Sequence, residues 1–247
     1  MIEIKNIHKT FAKQKVLDGV NMFIHQGGST ALIGTSGCGK SVLLKILLGL
    51  IEPDAGEVFI DNVNVSHREP SRTVSRIGML FQGSALFDSL PVWQNICFKF
   101  LKGTEKLSGK DAKALAIQNL EKVGLNYEVA DKFPSELSGG MKKRVALARA
   151  IVGNPKIIFF DEPTTGLDPI MTNTINKLIR EIVETMEVTA LTITHDISSV
   201  EEIADNVAIL EGGRIQWEGK PKKLRESKDP YVYQFINGET KGPIKMI

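Results

Sequence analysis

The stretch Gly34-Thr35-Ser36-Gly37-Cys38-Gly39-Lys40-Ser41 decides the fold. Gly34 and Gly39 free the backbone to curl so that successive N–H groups face phosphate oxygens. Lys40 reaches the outer phosphates, and Ser41 offers a hydroxyl to Mg²⁺. The preceding Thr30-Ala31-Leu32-Ile33 reads as a short buried strand, and Ser41 to Leu48 reads as a helix whose N-terminal dipole faces the loop. Strand, loop and helix in that order make a phosphate cradle, and a nucleoside triphosphate is its expected ligand. The loop by itself specifies nothing narrower.

Working outward, strand-like runs recur at Ile2 to Ile7, Glu57 to Asp61, Lys156 to Phe160, Val188 to Thr194, Asn206 to Glu211 and Arg214 to Trp217. Helical segments lie among them, and this alternation predicts an α/β core. Ile157-Ile158-Phe159-Phe160 is apolar throughout, as a central strand covered on both faces must be. From about Gly83 to Val152 strands are sparse, while Asp111 to Val123 and Met141 to Val152 read as helices, so residues 83–152 are expected to form a helical insertion. Met171, Ile175, Leu178, Ile179 and Ile182 follow Pro169 at helical spacing and read as a core stripe.

Composition bounds the partners. A chain of 247 residues suits one large α/β domain, and a net charge of +2 gives no global footprint for nucleic acid. The longest apolar stretch, Val42 to Ile51, is interrupted by Lys45 and is far shorter than the roughly 20 residues that cross a bilayer. Met1-Ile2-Glu3-Ile4-Lys5 alternates like a strand instead of opening a secretory signal, so a cytoplasmic location is expected. Cys38 and Cys97 are too few for a disulfide framework and point to a reducing compartment.

Asp161 and Glu162 are adjacent carboxylates after the buried strand. Alternation along a strand would aim them in opposite directions, separating a metal-holding Asp161 from a general base Glu162. Burying both is costly unless a cation is near, which a bound Mg²⁺ and nucleotide would supply. Leu137-Ser138-Gly139-Gly140-Met141 precedes a helix: Ser138 can cap it and the glycines expose N–H groups, although Ser-Gly-Gly before a helix is also a common plain cap.

Taken together, these residues resemble the nucleotide-binding subunits of ABC transporters over nearly the whole chain. The match rests on Gly34 to Ser41 (Walker A), Gln82 (Q-loop), Leu137 to Met141 (signature), Ile157 to Asp161 with Glu162 (Walker B and catalytic Glu), Gly166-Leu167-Asp168 (D-loop) and His195 (H-loop). The resemblance implies a single ABC ATPase domain over residues 1–247. It has a P-loop NTPase (RecA-like) core, an antiparallel β subdomain and the inserted helical subdomain, followed by a C-terminal extension at 228–247.

By similarity, ATP and Mg²⁺ are the cofactors. Phe11, Val16, Gly34, Thr35, Ser36, Gly37, Cys38, Gly39, Lys40, Ser41 and Val42 would bind the nucleotide, with Phe11 stacking on the base. Ser41, Gln82 and Asp161 would hold the metal, and Glu162, His195, Lys40 and Gln82 would serve catalysis. Ser138, Gly139 and Gly140 would grip the γ-phosphate held by a second copy in a head-to-tail homodimer. Met141 stands where Gln is common and Cys38 where Ser or Ala is common; neither is a phosphate-binding group.

Phe81 to Ile96, with Ala85-Leu86-Phe87-Asp88-Ser89-Leu90 before Val92-Trp93, is similar to the corresponding stretch of ATPases from Mla-type (Mce-linked) phospholipid transporters. Pro91 departs from the Thr frequent there. The similarity implies an ATPase peripheral on the inner face of the cell membrane, working with integral membrane permease subunits. Mce-type lipid-binding and STAS-domain accessory proteins would be further partners. An apolar strip at Leu86, Phe87 and Trp93 could receive a permease helix or pack the helical lobe. Tyr231, Phe235 and Ile236 could anchor the tail. Alternative readings are the ATPase of a polar-solute importer, or a soluble ABC ATPase of the iron-sulfur assembly type.

Overall fold

Strands β1 (Ile2–Phe11) and β2 (Gln14–Ile24) open the computed structural model, which describes residues 1–66, 77–103 and 106–244. Phe11 pairs with Gln14, leaving a two-residue turn in which Ala12 and Lys13 both have positive φ, 43° and 75°. That is the geometry a tight hairpin requires. Without the Gly or Asn that usually marks it, the hairpin and all of β2 are hidden in the sequence. β3 (Ser29–Ile33) runs into α1 (Lys40–Leu47), followed by β4 (Ala55–Ile60), the short β5 (Val63–Asn64) and β6 (Ile77–Leu80).

Helices α2 (Val92–Ile96), α3 (Phe98–Lys102) and α4 (Gly109–Lys122) come next. Two 3₁₀ turns at Tyr127–Asp131 and Pro134–Glu136 lead to α5 (Gly139–Ile151). The chain continues through β7 (Ile157–Asp161), α6 (Pro169–Met186), β8 (Thr189–Ile193), α7 (Ile197–Ile203), β9 (Asn206–Glu211) and β10 (Arg214–Gly219). It closes with α8 (Pro221–Glu226) and α9 (Pro230–Asn237).

Two sheets result. One is antiparallel, in the order β2-β1-β4-β5; the other runs β10-β9-β3-β8-β7-β6, parallel except for β10 at its edge. β7 explains its own apolar run: Ile157 and Phe159 face the core beneath α1, whereas Ile158 and Phe160 face the core beneath α5 and α6. Strand β6 escapes sequence reading because it is four residues long and contains Gly78. A Cβ on Gly78 would stand 2.3 Å from the carbonyl oxygen of Ala150, so the glycine is what lets α5 approach. Asp18 of β2 ties the two sheets together, its carboxylate 2.8 Å from the Arg214 guanidinium of β10.

Phe235 and Ile236 are half-buried and pack against the main core, as a tail anchor would, while the most deeply buried side chains of α9 are Val232 and Gln234, which sequence reading does not single out. The Gln234 amide accepts from the Ile244 N–H at 2.7 Å and donates to the Ile244 carbonyl at 3.0 Å, folding the chain end back on the helix. Residues 245–247 of the expected C-terminal extension lie outside the described residues.

Candidate functional site

The carboxyl ends of β3, β7 and β8 carry the P-loop, the Asp161–Glu162 pair and His195 into one cleft of about 680 Å³. Its lining includes Val16, Gly34, Thr35, Ser36, Gly37, Gly39, Lys40, Ser41, Val42, Gln82, Asp161, Glu162 and His195. Crevices at strand carboxyl ends are where parallel sheets bind ligands. Phe11, Cys38, Ser138, Gly139 and Gly140 are not among the residues lining the cleft. Phe11 is 43% exposed at the hairpin turn, and Cys38 is buried behind the loop. Burial raises the Cys38 pKa against the pull of Lys40, so the group is a thiol.

The loop is shaped by what surrounds it. A Cβ on Gly39 (φ 111°) would meet Leu17 Cδ2 at 2.8 Å, so only glycine fits the entry to α1. Lys40 Nζ donates to the carbonyls of Gly34 (2.7 Å) and Thr35 (2.8 Å), which keeps the ammonium over the cradle. Thr35 Oγ1 donates to Glu211 at 2.6 Å, tying the loop to the end of β9.

Across the cleft, Glu162 does not continue the strand. Its φ is 48°, and its N–H donates to the Ile193 carbonyl at 2.8 Å. A left-handed turn, and not the alternation of a strand, therefore sets its direction relative to Asp161, correcting the sequence argument. Its carboxylate lies 2.9 Å from His195 Nδ1 and accepts from Thr165 Oγ1 at 3.0 Å. Such a pair can take a proton from water and hold it. Desolvation raises the Asp161 pKa, the Glu162 charge adds to this, and Lys143 and Lys40 oppose it. A carboxylate in that position is stabilised by any added cation.

The donors near the loop, the Ser41 hydroxyl, the Asp161 carboxylate and the Gln82 amide oxygen, are all hard oxygen ligands. Among the described residues no group of three His, Cys, Asp or Glu could hold a metal alone. That donor set fits Mg²⁺, which keeps several waters and takes further ligands from phosphates.

Several cleft residues carry no sequence signal. Ile193 lines the site as the last residue of β8, and Phe235 reaches it from α9 near the far end of the described chain. Glu211, which holds Thr35, reads in sequence only as the last residue of a strand.

At the opposite side of the helical region, Ser138 caps α5, its hydroxyl accepting from the Met141 N–H at 3.3 Å. Ser138 and Gly139 are exposed. Five residues on, Lys143 is 5% exposed and belongs to the surroundings of Gln82 and Glu162.

The family model described as ABC transporter matches residues 17–165, which is more than half of the chain. The chain belongs to the ABC transporter family. This ABC cassette is 38% identical over 248 residues to the intermembrane phospholipid transport system ATP-binding protein MlaF of Haemophilus influenzae, covering 99% of this chain and 93% of that one. It is 39% identical over 263 residues to protein TRIGALACTOSYLDIACYLGLYCEROL 3, chloroplastic, of Arabidopsis thaliana, covering 99% and 76%. Among solved structures it is similar to a dimeric ATP-binding cassette in a post-hydrolysis state bound to ADP and Pi. The TM-score is 0.81 at 31% identity, over 90% of this chain and 99% of that one. The ABC ATPase fold and ATP as the nucleotide follow from these relationships. Among the described residues, no helix is long and apolar enough to cross a membrane.

Proposed function

We propose that this ABC cassette is the ATP-hydrolysing subunit of a phospholipid transporter, acting as a homodimer on the cytoplasmic face of a membrane beneath a separate permease. The observation that carries the reading is the near full-length relationship to MlaF, a protein named for phospholipid transport. The Arabidopsis relative, whose name contains a galactosylated diacylglycerol, supports the wider class of diacylglycerol-based lipids. Exposed Phe81 and Phe87 flank Gln82 and offer an apolar face to a permease helix, while Leu86 and Trp93 pack into the helical core. Mce-type and STAS-domain proteins are the accessory partners this reading calls for.

In the cleft, the P-loop N–H groups and Lys40 bind the outer phosphates and Val16 meets the base, with Phe11, outside the cleft lining on the exposed hairpin turn, stacking on it. Ser41, Asp161 and Gln82 are the residues that would hold Mg²⁺, which when bound supplies charge neutralisation to the phosphate oxygens. Glu162 accepts a proton from the attacking water at its carboxylate, and His195 Nδ1 holds that carboxylate in place. Ser138, Gly139 and Gly140 stand outside the cleft of their own chain, and Ser138 and Gly139 are exposed, which suits a role at the phosphates of a second copy. The similar cassette solved as a dimer supports that arrangement. Catalysis is then positioning and charge stabilisation, completed when two copies close.

The test is purification of tagged protein from native membranes in mild detergent, with identification of the retained proteins and lipids. Co-recovery of an integral membrane permease with phospholipid is expected. Recovery with a soluble scaffold and no permease would overturn the transport reading, and a permease retaining a polar solute would overturn the substrate class.

A further inference from the structure

Helix α5 reaches back to the cleft through two cations, the buried Lys143 and the half-buried Arg149. Lys143 Nζ donates to the backbone carbonyl of Gln82 at 2.5 Å and to that of Glu162 at 3.3 Å. One turn and a half further on, Arg149 donates to the carbonyls of Ser84 and Ala85, both at 2.6 Å. Ser84 and Ala85 have positive φ, 63° and 46°, so the turn after Gln82 is a conformation that something must hold. Among the described residues no carboxylate forms an ion pair with either cation; both are used on peptide oxygens. A lysine buried to this degree without a paired carboxylate is uncommon and costly. Desolvation lowers its pKa, and the charges of Glu162 and Asp161 oppose that loss.

We infer that Lys143 is a positioning residue for hydrolysis: it fixes the backbones of Gln82 and Glu162 to the helix that begins at Ser138, so that displacement of that helix reaches both groups of the cleft. The chain has one ammonium serving two loops that are 80 residues apart in sequence, and neither loop bonds the other directly among the described contacts. If α5 shifts as Ser138 to Gly140 engage the phosphates of a second copy, Gln82 and Glu162 shift with it. This last step rests on the homodimer proposed above; the positioning itself does not.

Three variants test it by steady-state ATPase kinetics, nucleotide binding and hydrogen exchange. Lys143→Met keeps the apolar stem and removes both hydrogen bonds. We expect kcat to fall about 10- to 100-fold, the range for losing hydrogen bonds from a charged donor, with KM and ATP affinity within about twofold. Amides of the turns following Gln82 and Glu162 should exchange faster, while those of β3 and α1 keep their rates. Lys143→Arg retains a cation with several donors and should recover most of kcat. Should K143M not fold, Lys143→Gln carries the test: its single amide can serve one carbonyl and not both, so kcat falls with KM held.

A wild-type kcat in the folded Met or Gln variant overturns the inference. So does loss of kcat with a parallel rise in KM and uniformly faster exchange, which marks a merely structural lysine. The dimer is checked separately, by light scattering of E162Q with and without Mg·ATP. If E162Q stays monomeric the dimer reading fails while the kinetic split in K143M still decides the role of Lys143.

Discussion

The Glu162 carboxylate and Nδ1 of His195 stand 2.9 Å apart, joining the turn after β7 to the loop after β8. Glu162→Gln preserves the shape and removes the proposed base. Its kcat should fall by roughly 10² to 10⁴, while ATP affinity is retained. Because the two side chains act as a unit, adding His195→Ala to E162Q should cost little more than E162Q alone. Near-normal turnover in E162Q, measured by phosphate release, would refute the assignment.

Lys40→Ala removes an ammonium that sits 2.7 and 2.8 Å from two P-loop carbonyls. Losing a charged donor costs affinity about 10- to 100-fold. Fluorescent-nucleotide titration should register this in the isolated protein, and an unchanged Kd would count against the cradle.

Asp161 is kept at a cost, since burial and the neighbouring Glu162 charge both raise its pKa. Asp161→Asn should therefore raise the melting temperature of the protein without nucleotide, by an amount corresponding to about 1 kcal/mol, while abolishing Mg²⁺-dependent hydrolysis. Calorimetry on the two proteins decides; a lower melting temperature in D161N would mean that the ionised carboxylate is well satisfied.

Asp18 joins the two sheets, and hydrogen bonds from Arg214 and then Lys15 lower its pKa to about 2 from 3.8. A depressed carboxylate contributes stability that is present above the unfolded pKa and lost as pH falls through the folded one. The urea-unfolding difference between wild type and Asp18→Asn should thus be full at about pH 5 and vanish near about pH 2. A difference that grows on acidification would contradict the pairing.

Ser138→Arg should leave nucleotide binding by the monomer intact, because Ser138 lies outside the cleft that holds Lys40, yet block hydrolysis. Mixed S138R and K40A subunits should regain part of the activity through one complete site per heterodimer. Loss of ATP affinity in S138R alone would place the serine in its own chain's site instead.

Much of this was legible because its signals are local. Gly34 to Ser41 must curl whatever surrounds it, and Ile157 to Phe160 can only be a strand covered on both faces. Helix α6 declared itself through Pro169 and its apolar stripe. What stayed hidden depends on contacts distant in sequence. β2 follows a turn of Ala12 and Lys13, residues with no turn preference, and β6 contains a glycine needed only because Ala150 packs on it. Lys143 sits in a polar run, Lys142-Lys143-Arg144, that reads as a solvated helix face; only the fold reveals that the middle member points inward. The direction of Glu162 is hidden for a related reason, since strand alternation stops where a positive φ and a hydrogen bond to Ile193 bend the chain.

Gln234 presents to Ile244 the same donor and acceptor pair that a neighbouring strand would present. The peptide of Ile244 is thereby recognised by a buried side chain, and Gly242 is what lets the segment approach it, since a Cβ there would stand 2.3 Å from Gln234 Oε1. Such a device measures length. Substitutions at the exposed positions 239–241 should be tolerated, whereas a side chain at Gly242, or one residue inserted or deleted, would break the pairing with the buried amide and release the segment.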